Sequence, residues 1–259
     1  MNESIAEWEA RRRALMQPPG IITAAALLKR AKDKPEFLIH ERIPAGGITL
    51  VVAPPGSTKS WLVYDLALKV AQGGKRKWLD TEATKQGPVL VLSYDNPTEE
   101  TSRRFKRLGL RDDDPIFFHS VDRDAWKMPA AAETLADLCH EINPVLVVVD
   151  SFRQAFVGNE NSSEEMAEVM SGYKVMAAAP SKPAVVVVHH AAKGIVLEGA
   201  GTRGSSEIEG SADAIIAIEK GEVRWTKSRS WSMSEKFSVS YKMLDEGSST
   251  FIQLGKVKT

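Results

Sequence analysis

The chain has 259 residues, and its 34 Lys plus Arg balance 34 Asp plus Glu for a formal net charge of zero. With 43% apolar and 26% charged residues, it is not an intrinsically disordered chain, which lacks the apolar surface needed to offset the entropy of ordering. Neutrality also excludes a global positive field, so any nucleic-acid binding must use a local patch. The one cysteine, Cys139, rules out an internal disulfide framework and fits a reducing, cytoplasmic compartment. Its neighbours Leu138 and Ile142 predict an inert, buried thiol. No apolar run approaches the roughly 18 residues needed to span a bilayer. Residues 1–13 lack the apolar stretch of a signal peptide.

Residues 1–17 read as an exposed helix, opened by a capping-box spacing at Ser4 and Glu7. Ile5, Trp8, Arg12 and Leu15 share one side, and Pro18-Pro19-Gly20 ends the helix. A second helix is predicted over 23–32. Arg11, Arg12, Arg13, Lys29, Arg30, Lys32 and Lys34 make this region basic, which suits either a solvated face or an arm docking on a neighbouring subunit. Residues 1–35 are therefore expected to form a helical arm and 36–259 a separate domain.

From Gly46 onward, short β-branched runs at 48–52, 89–93, 145–149 and 184–188 alternate with helical stretches at 60–72, 99–108, 131–142 and 164–178. Continuous apolar runs of this kind mark strands buried on both faces of a parallel sheet, and the βαβ rhythm implies a doubly wound α/β domain. After Asp213 the rhythm changes. Runs at 214–218, 223–227, 237–241 and 251–254 are separated by short turns such as Lys220-Gly221-Glu222, and are expected to extend the sheet with antiparallel strands.

The first strand leads into Ala53-Pro54-Pro55-Gly56-Ser57-Thr58-Lys59-Ser60 and then the helix predicted over 60–72. Strand, glycine-bearing loop and helix N-terminus are the setting of a phosphate loop. Backbone N–H groups of Pro55–Trp61 (proline itself excepted) would cradle the phosphates of ATP, with Lys59 on the β/γ-phosphates and the Ser60 hydroxyl on Mg²⁺. Ala53 and Thr58 stand where the strict pattern has glycine. Thr58 is the more serious change, because its Cβ must fit where the backbone nears the phosphate. A degenerate loop that binds nucleotide weakly is the other outcome.

The run 145–149 ends in Asp150, which places a second Mg²⁺ ligand at a strand's C-terminal end about 90 residues after the loop. Asp95, in Ser93-Tyr94-Asp95-Asn96-Pro97, ends the intervening strand, which is expected next to the phosphate-loop strand, and is a candidate to orient the attacking water. The same residues form a good turn, with Thr98 as a helix cap. His189-His190 ends the fourth strand. Adjacent strand residues face opposite ways, so the pair is a poor metal site; one imidazole, His190, is the better candidate to sense the γ-phosphate.

Taken together, these motifs resemble the RepA-type hexameric replicative helicases within the RecA/DnaB class of ATPases, over about residues 36–229. The resemblance rests on Pro44-Ala45-Gly46-Gly47 before the loop and Asp95-Asn96-Pro97 after the second strand. It also rests on Gly158-Asn159-Glu160-Asn161 after Asp150, His189-His190-Ala191-Ala192-Lys193-Gly194, and Arg203-Gly204-Ser205-Ser206. The family usually has Glu where Asp95 stands, one methylene longer. Lys227-Ser228-Arg229 resembles the Lys-x-Arg pair that ring ATPases insert into a neighbour's site; alternating on a strand, the two cations are expected to point to one face, whose other reading is a solvated strand face. The resemblance implies a RecA-like fold, ATP and Mg²⁺ as cofactors, a homo-oligomeric (hexameric) ring, and translocation along single-stranded DNA. The channel loop would span about 191–211 and carry Lys193 and Arg203. Its acids Glu198, Glu207 and Glu209 outnumber these cations, which favours transient over tight contacts. A non-motor ATPase of the same fold, acting as recombination mediator, partner loader or regulatory switch, is the alternative. A small-molecule kinase is disfavoured because no Arg-rich lid segment is present.

Overall fold

The structure is a computed structural model, and it describes residues 4–7, 22–30, 34–120, 126–191, 204–229 and 238–258. The chain divides into two compact units, residues 1–35 and 36–259. In the first, the expected capping box is formed: the Ser4 hydroxyl accepts from the Glu7 N–H at 3.2 Å, and the Glu7 carboxylate accepts from the Ser4 N–H at 2.9 Å. Helix α1 (Ala24–Arg30) is preceded by Thr23, whose hydroxyl accepts from the Ala26 N–H at 3.1 Å. Trp8, Arg12, Leu15 and Lys32 lie outside the described residues.

The second unit opens with a short hairpin, β1 (Phe37–Ile39) and β2 (Ile43–Pro44). Then come β3 (Ile48–Ala53), α2 (Lys59–Gln72), a small hairpin β4 (Lys77–Trp78) and β5 (Thr81–Glu82), β6 (Val89–Ser93), α3 (Thr98–Leu108) and β7 (Ile116–Ser120). Helix α4 (Ala132–Ile142), β8 (Leu146–Asp150), a 3₁₀ turn at Phe152–Gln154, α5 (Ser163–Ala177), β9 (Ala184–His190) and α6 (Ser206–Ser211) follow. The chain ends in β10 (Ala214–Glu219), β11 (Glu222–Ser228), β12 (Ser238–Glu246) and β13 (Ser249–Lys258).

Nine strands form one sheet in the order β13-β12-β11-β10-β3-β9-β8-β6-β7. From β10 through β7 every pairing is parallel, and β11, β12 and β13 add antiparallel strands at one end. The fold is the expected RecA-like α/β sheet. Three details correct the sequence reading. The run 214–218 was expected to be antiparallel, but β10 is parallel to β3 and only its other edge meets β11 antiparallel. The connection from β9 to β10 contains α6 and is long enough for a parallel crossover, whereas the tight turn at Lys220-Gly221 forces β11 back antiparallel. Strand β7 was not predicted, because it is an edge strand whose Phe117 and Phe118 stay exposed. Thr98 does not cap α3; it is the first helical residue, and Pro97 holds the cap position without a side-chain bond.

The central strands are buried along their whole length, as their continuous apolar runs require. Alternate side chains divide between two cores. Leu50, Val52, Val147, Val149, Val185 and Val187 face α4 and α5. Val51, Val89, Val91, Val148, Val186 and Val188 face α2 and Phe105 of α3. Cys139 on α4 is fully buried, and burial pushes its thiol up to about 11, as an inert core thiol requires. The β12–β13 hairpin continues past the end of β11. Its tip is held to α3 by Arg107, which donates to Asp245 at 3.0 Å, Thr250 at 2.9 Å and the Gly247 carbonyl at 3.3 Å. Among the described residues no helix is long and apolar enough to cross a membrane.

Candidate active site

The register brings the C-terminal ends of the parallel strands to one edge: Ala53 lies beside His190, Val188 beside Asp150, and Asp150 beside Ser93. Open α/β sheets bind ligands at this edge. The loop 54–58 leaves it and enters α2. Gly56 takes a φ of +76° with open space about its α-carbon, so backbone can approach a ligand there. Thr58 takes a φ of +62°, the left-handed region where glycine is at ease and a β-branched residue is not. The sequence reading set the Thr58 side chain against the phosphate. Instead its hydroxyl is 2.6 Å from the Tyr241 hydroxyl on β12, which donates to the Ser57 carbonyl at 3.1 Å.

Lys59 and Ser60 open α2, so the helix begins one residue before its predicted start. Lys59 is 7% exposed, and burial lowers its pKa while the charges of Asp150 and Asp95 oppose that shift. Asp150 is fully buried. Burial raises its pKa and the charge of Asp95 adds to this, against hydrogen bonds from Tyr64 and Ser60 and the charge of Lys59. Tyr64, one helical turn after Ser60, donates to Asp150 Oδ2 at 2.8 Å, and Oδ1 has no hydrogen-bond partner. An orphaned, buried carboxylate oxygen next to a serine hydroxyl fits a hard cation that takes oxygen ligands. Ser60 and Asp150 are the residues that would hold Mg²⁺.

Asp95 was expected on the strand next to the phosphate-loop strand. Strands β8 and β9 in fact stand between β6 and β3, and Asp95 reaches the site around the end of β8. The Tyr94 and Asp95 N–H groups both donate to the Asp150 carbonyl, at 2.6 and 3.2 Å. The exposed Asp95 carboxylate is near enough for its charge to act on both Lys59 and Asp150.

The histidine pair splits as its strand position demands. His189 is buried against the Phe152 ring, 4.9 Å away, with Glu160 at 3.7 Å. His190 is half-buried beside Ala53 at the root of the phosphate loop. Among the described residues no cluster of three metal-ligating side chains occurs. Lys193 and Arg203 lie outside the described residues.

Lys227 and Arg229 point the same way, as predicted, although β11 ends at Ser228 and Arg229 follows it. Lys227 donates to the Glu209 and Gly210 carbonyls, and Arg229 to the Gly210 carbonyl with Asp213 at 3.4 Å. Both cations therefore sit on the C-terminal end of α6, where the last carbonyls of a helix favour positive charge. Lys227 pairs with Ile215 and Ser228 with Ala214, while Ala214 and Ile215 lie beside Thr49 and Leu50 of β3. The pair thus stands at the sheet edge opposite its own phosphate loop.

Three contributors escaped the sequence reading. Tyr64 was accessible in principle, since Ser60 and Tyr64 share a helix face at i, i+4. Arg104 on α3 bonds Glu100 at 2.7 Å, lies 5.7 Å over the Trp61 ring and acts electrostatically on Lys59. Tyr241 is 183 residues from Thr58 and left no local signal. A cleft of about 490 Å³ adjoins the loop, lined by Pro55, Thr58, Lys220, Tyr241 and Met243 among others.

Comparison with known proteins agrees with this geometry. Among solved structures, a KaiC-like protein (PH0186) from the hyperthermophilic archaeon Pyrococcus horikoshii OT3 matches with a TM-score of 0.56. The match covers 85% of this chain and 96% of that chain at 14% identity, a likeness of fold. A family model described as an AAA domain matches residues 10–195, well over half of the chain. On that match, and on a sheet that gathers a phosphate loop and a buried carboxylate at one edge, the chain belongs to the AAA-domain family of P-loop ATPases.

Proposed function

We propose that the protein is a ring-forming, DNA-dependent ATPase that moves along single-stranded DNA, with each site completed by the neighbouring subunit. The observation that carries this reading is the position of Lys227 and Arg229. They stand at the edge of the sheet opposite their own phosphate loop, which supports a role at another copy's γ-phosphate rather than at their own. Their anchorage on the α6 carbonyls would hold them oriented before the neighbour arrives. Lys59 neutralises the β/γ-phosphates. Mg²⁺, when bound by Ser60 and Asp150, supplies further neutralisation of charge on the transferred phosphoryl group. Asp95 orients the attacking water, and His190 couples the γ-phosphate to the segment that follows β9. Lys193 and Arg203 supply the transient DNA contacts.

The test is the ATPase rate with and without single-stranded DNA, measured alongside mass in solution. Stimulation by DNA together with a multi-subunit mass is the expected result. A monomer whose turnover ignores DNA would overturn it. Thr58 in place of glycine and the shortened carboxylate Asp95 favour a second reading, a slow non-motor ATPase acting as recombination mediator, partner loader or switch. That reading predicts DNA-stimulated hydrolysis at most, without unwinding of a tailed duplex.

A further inference from the structure

Thr58 sits in a conformation that its residue type disfavours, at the last position before the lysine that meets the phosphates. Left-handed backbone crowds a Cβ against the following carbonyl, and a β-branched side chain worsens the crowding. Left alone, the loop would relax to a right-handed or extended Thr58, and the N–H groups of the loop would no longer converge. Something must hold it.

The Thr58 hydroxyl has two polar neighbours, the Ser57 carbonyl at 2.5 Å and, from outside the loop, the Tyr241 hydroxyl. The latter lies 2.6 Å from Thr58 Oγ1 and 3.1 Å from the Ser57 carbonyl. The protons balance: Tyr241 donates to the Ser57 carbonyl, and the one proton of the Thr58 hydroxyl is shared between that same carbonyl and the Tyr241 oxygen. Tyr241 is itself fixed. Its ring is 6% exposed, its N–H donates to the Gly221 carbonyl at 2.7 Å, and the hairpin that carries it is tied at the far end to Arg107. A rigid strap thus delivers one hydroxyl to the loop position that lacks its glycine.

We propose that Tyr241 is a positioning residue for the phosphate loop: its hydroxyl holds Thr58 in the left-handed conformation and so stands in for glycine. The proposal rests on the reading of 54–60 as a nucleotide-binding loop. Removing the hydroxyl while keeping the ring releases Thr58, and the loop must then be reordered by the ligand at a cost in affinity. Glycine at position 58 needs no brace, so the same removal becomes harmless in that background. A merely structural tyrosine would not show this dependence on residue 58.

The experiment compares wild type, Tyr241→Phe, Thr58→Gly and the double variant. Affinity for Mg²⁺ with a non-hydrolysable ATP analogue is measured by calorimetry, and the thermal midpoint without ligand is followed in parallel. Tyr241→Phe is expected to weaken binding about three- to tenfold, the scale of one lost hydrogen bond. The double variant is expected to bind within about twofold of Thr58→Gly, on the same hydrogen-bond scale. Equal binding by wild type and Tyr241→Phe would overturn the proposal alone, as would an undiminished Tyr241→Phe effect in the glycine background. A wild-type protein that bound no nucleotide would overturn the phosphate-loop reading and the proposal with it. Should Tyr241→Phe fail to fold, Thr58→Gly decides by itself: binding at least as tight as wild type is expected, and weaker binding contradicts the brace.

Discussion

Lys59 and Asp150 lie on the two sides of one electrostatic balance. Burial lowers the Lys59 pKa while the charges of Asp150 and Asp95 oppose that shift, and a phosphate would add to their side. Lys59→Ala should therefore weaken nucleotide binding by about 10- to 100-fold, the scale of hydrogen bonds to charged groups. Titration with a fluorescent nucleotide checks it. Burial raises the Asp150 pKa, so the stability this group contributes is present below the ordinary carboxylate range and lost as pH rises through its raised value. Without metal, the charged form is a burden at neutral pH. Asp150→Asn should accordingly be no less stable than wild type in the metal-free state, yet lose Mg²⁺-dependent turnover far more than nucleotide affinity. Asp95 is exposed, and its side chain bears on the site through its charge. For Asp95→Asn we expect nucleotide bound at wild-type affinity and kcat lowered by about 10²–10⁴, the range of general acid–base assistance; steady-state kinetics separates the two, and lost affinity with intact kcat would make Asp95 structural.

Individual elements carry their own stability signatures. Helix α5 begins after Ser162, whose hydroxyl accepts from the Glu165 N–H at 3.3 Å. Ser162→Ala should cost about 1 kcal/mol and Ser162→Gly only a few tenths, on the usual capping scale, as read from urea midpoints. The α3–β7 connection is pinned by Asp114. Burial would raise its pKa, but hydrogen bonds from Gln72, the Arg111 N–H and the Arg111 side chain outweigh burial and hold it below the ordinary carboxylate range. A lowered folded-state pKa means stability that is present above the ordinary value and lost as pH falls through the lowered one. Asp114→Asn should thus cost about 1 kcal/mol at neutral pH, and the gap to wild type should close in acid. Strands β3, β6, β8 and β9 were legible because burial on both faces writes itself as an unbroken apolar run. β7 was not, because an edge strand with half-exposed phenylalanines carries no such run. Strand order was not legible either, since adjacency in the sheet is fixed by crossover length and helix packing rather than by residues along a strand; hence the misplacement of Asp95 next to β3. The Thr58–Tyr241 pair, joined only by folding, lay beyond any local pattern.

For the whole molecule, the sheet separates two sets of candidate residues at opposite edges. One gathers Lys59, Ser60, Asp95, Asp150 and His190, and the other presents Lys227 and Arg229. On the proposed reading, a chain built this way would hold half of two different sites, and closure around a ring would complete each with its neighbour. A transition-state guanidinium contributes about 10³–10⁵ in rate, so Arg229→Ala should bind ATP and hardly hydrolyse it. The most direct measurement mixes Lys59→Ala and Arg229→Ala proteins, each inactive alone, and follows ATP hydrolysis. Some interfaces would then pair the intact phosphate loop of the Arg229→Ala chain with the intact cations of the Lys59→Ala chain. Partial recovery of hydrolysis is the predicted result; no recovery despite demonstrated co-assembly, or a fully active Arg229→Ala protein, would contradict it.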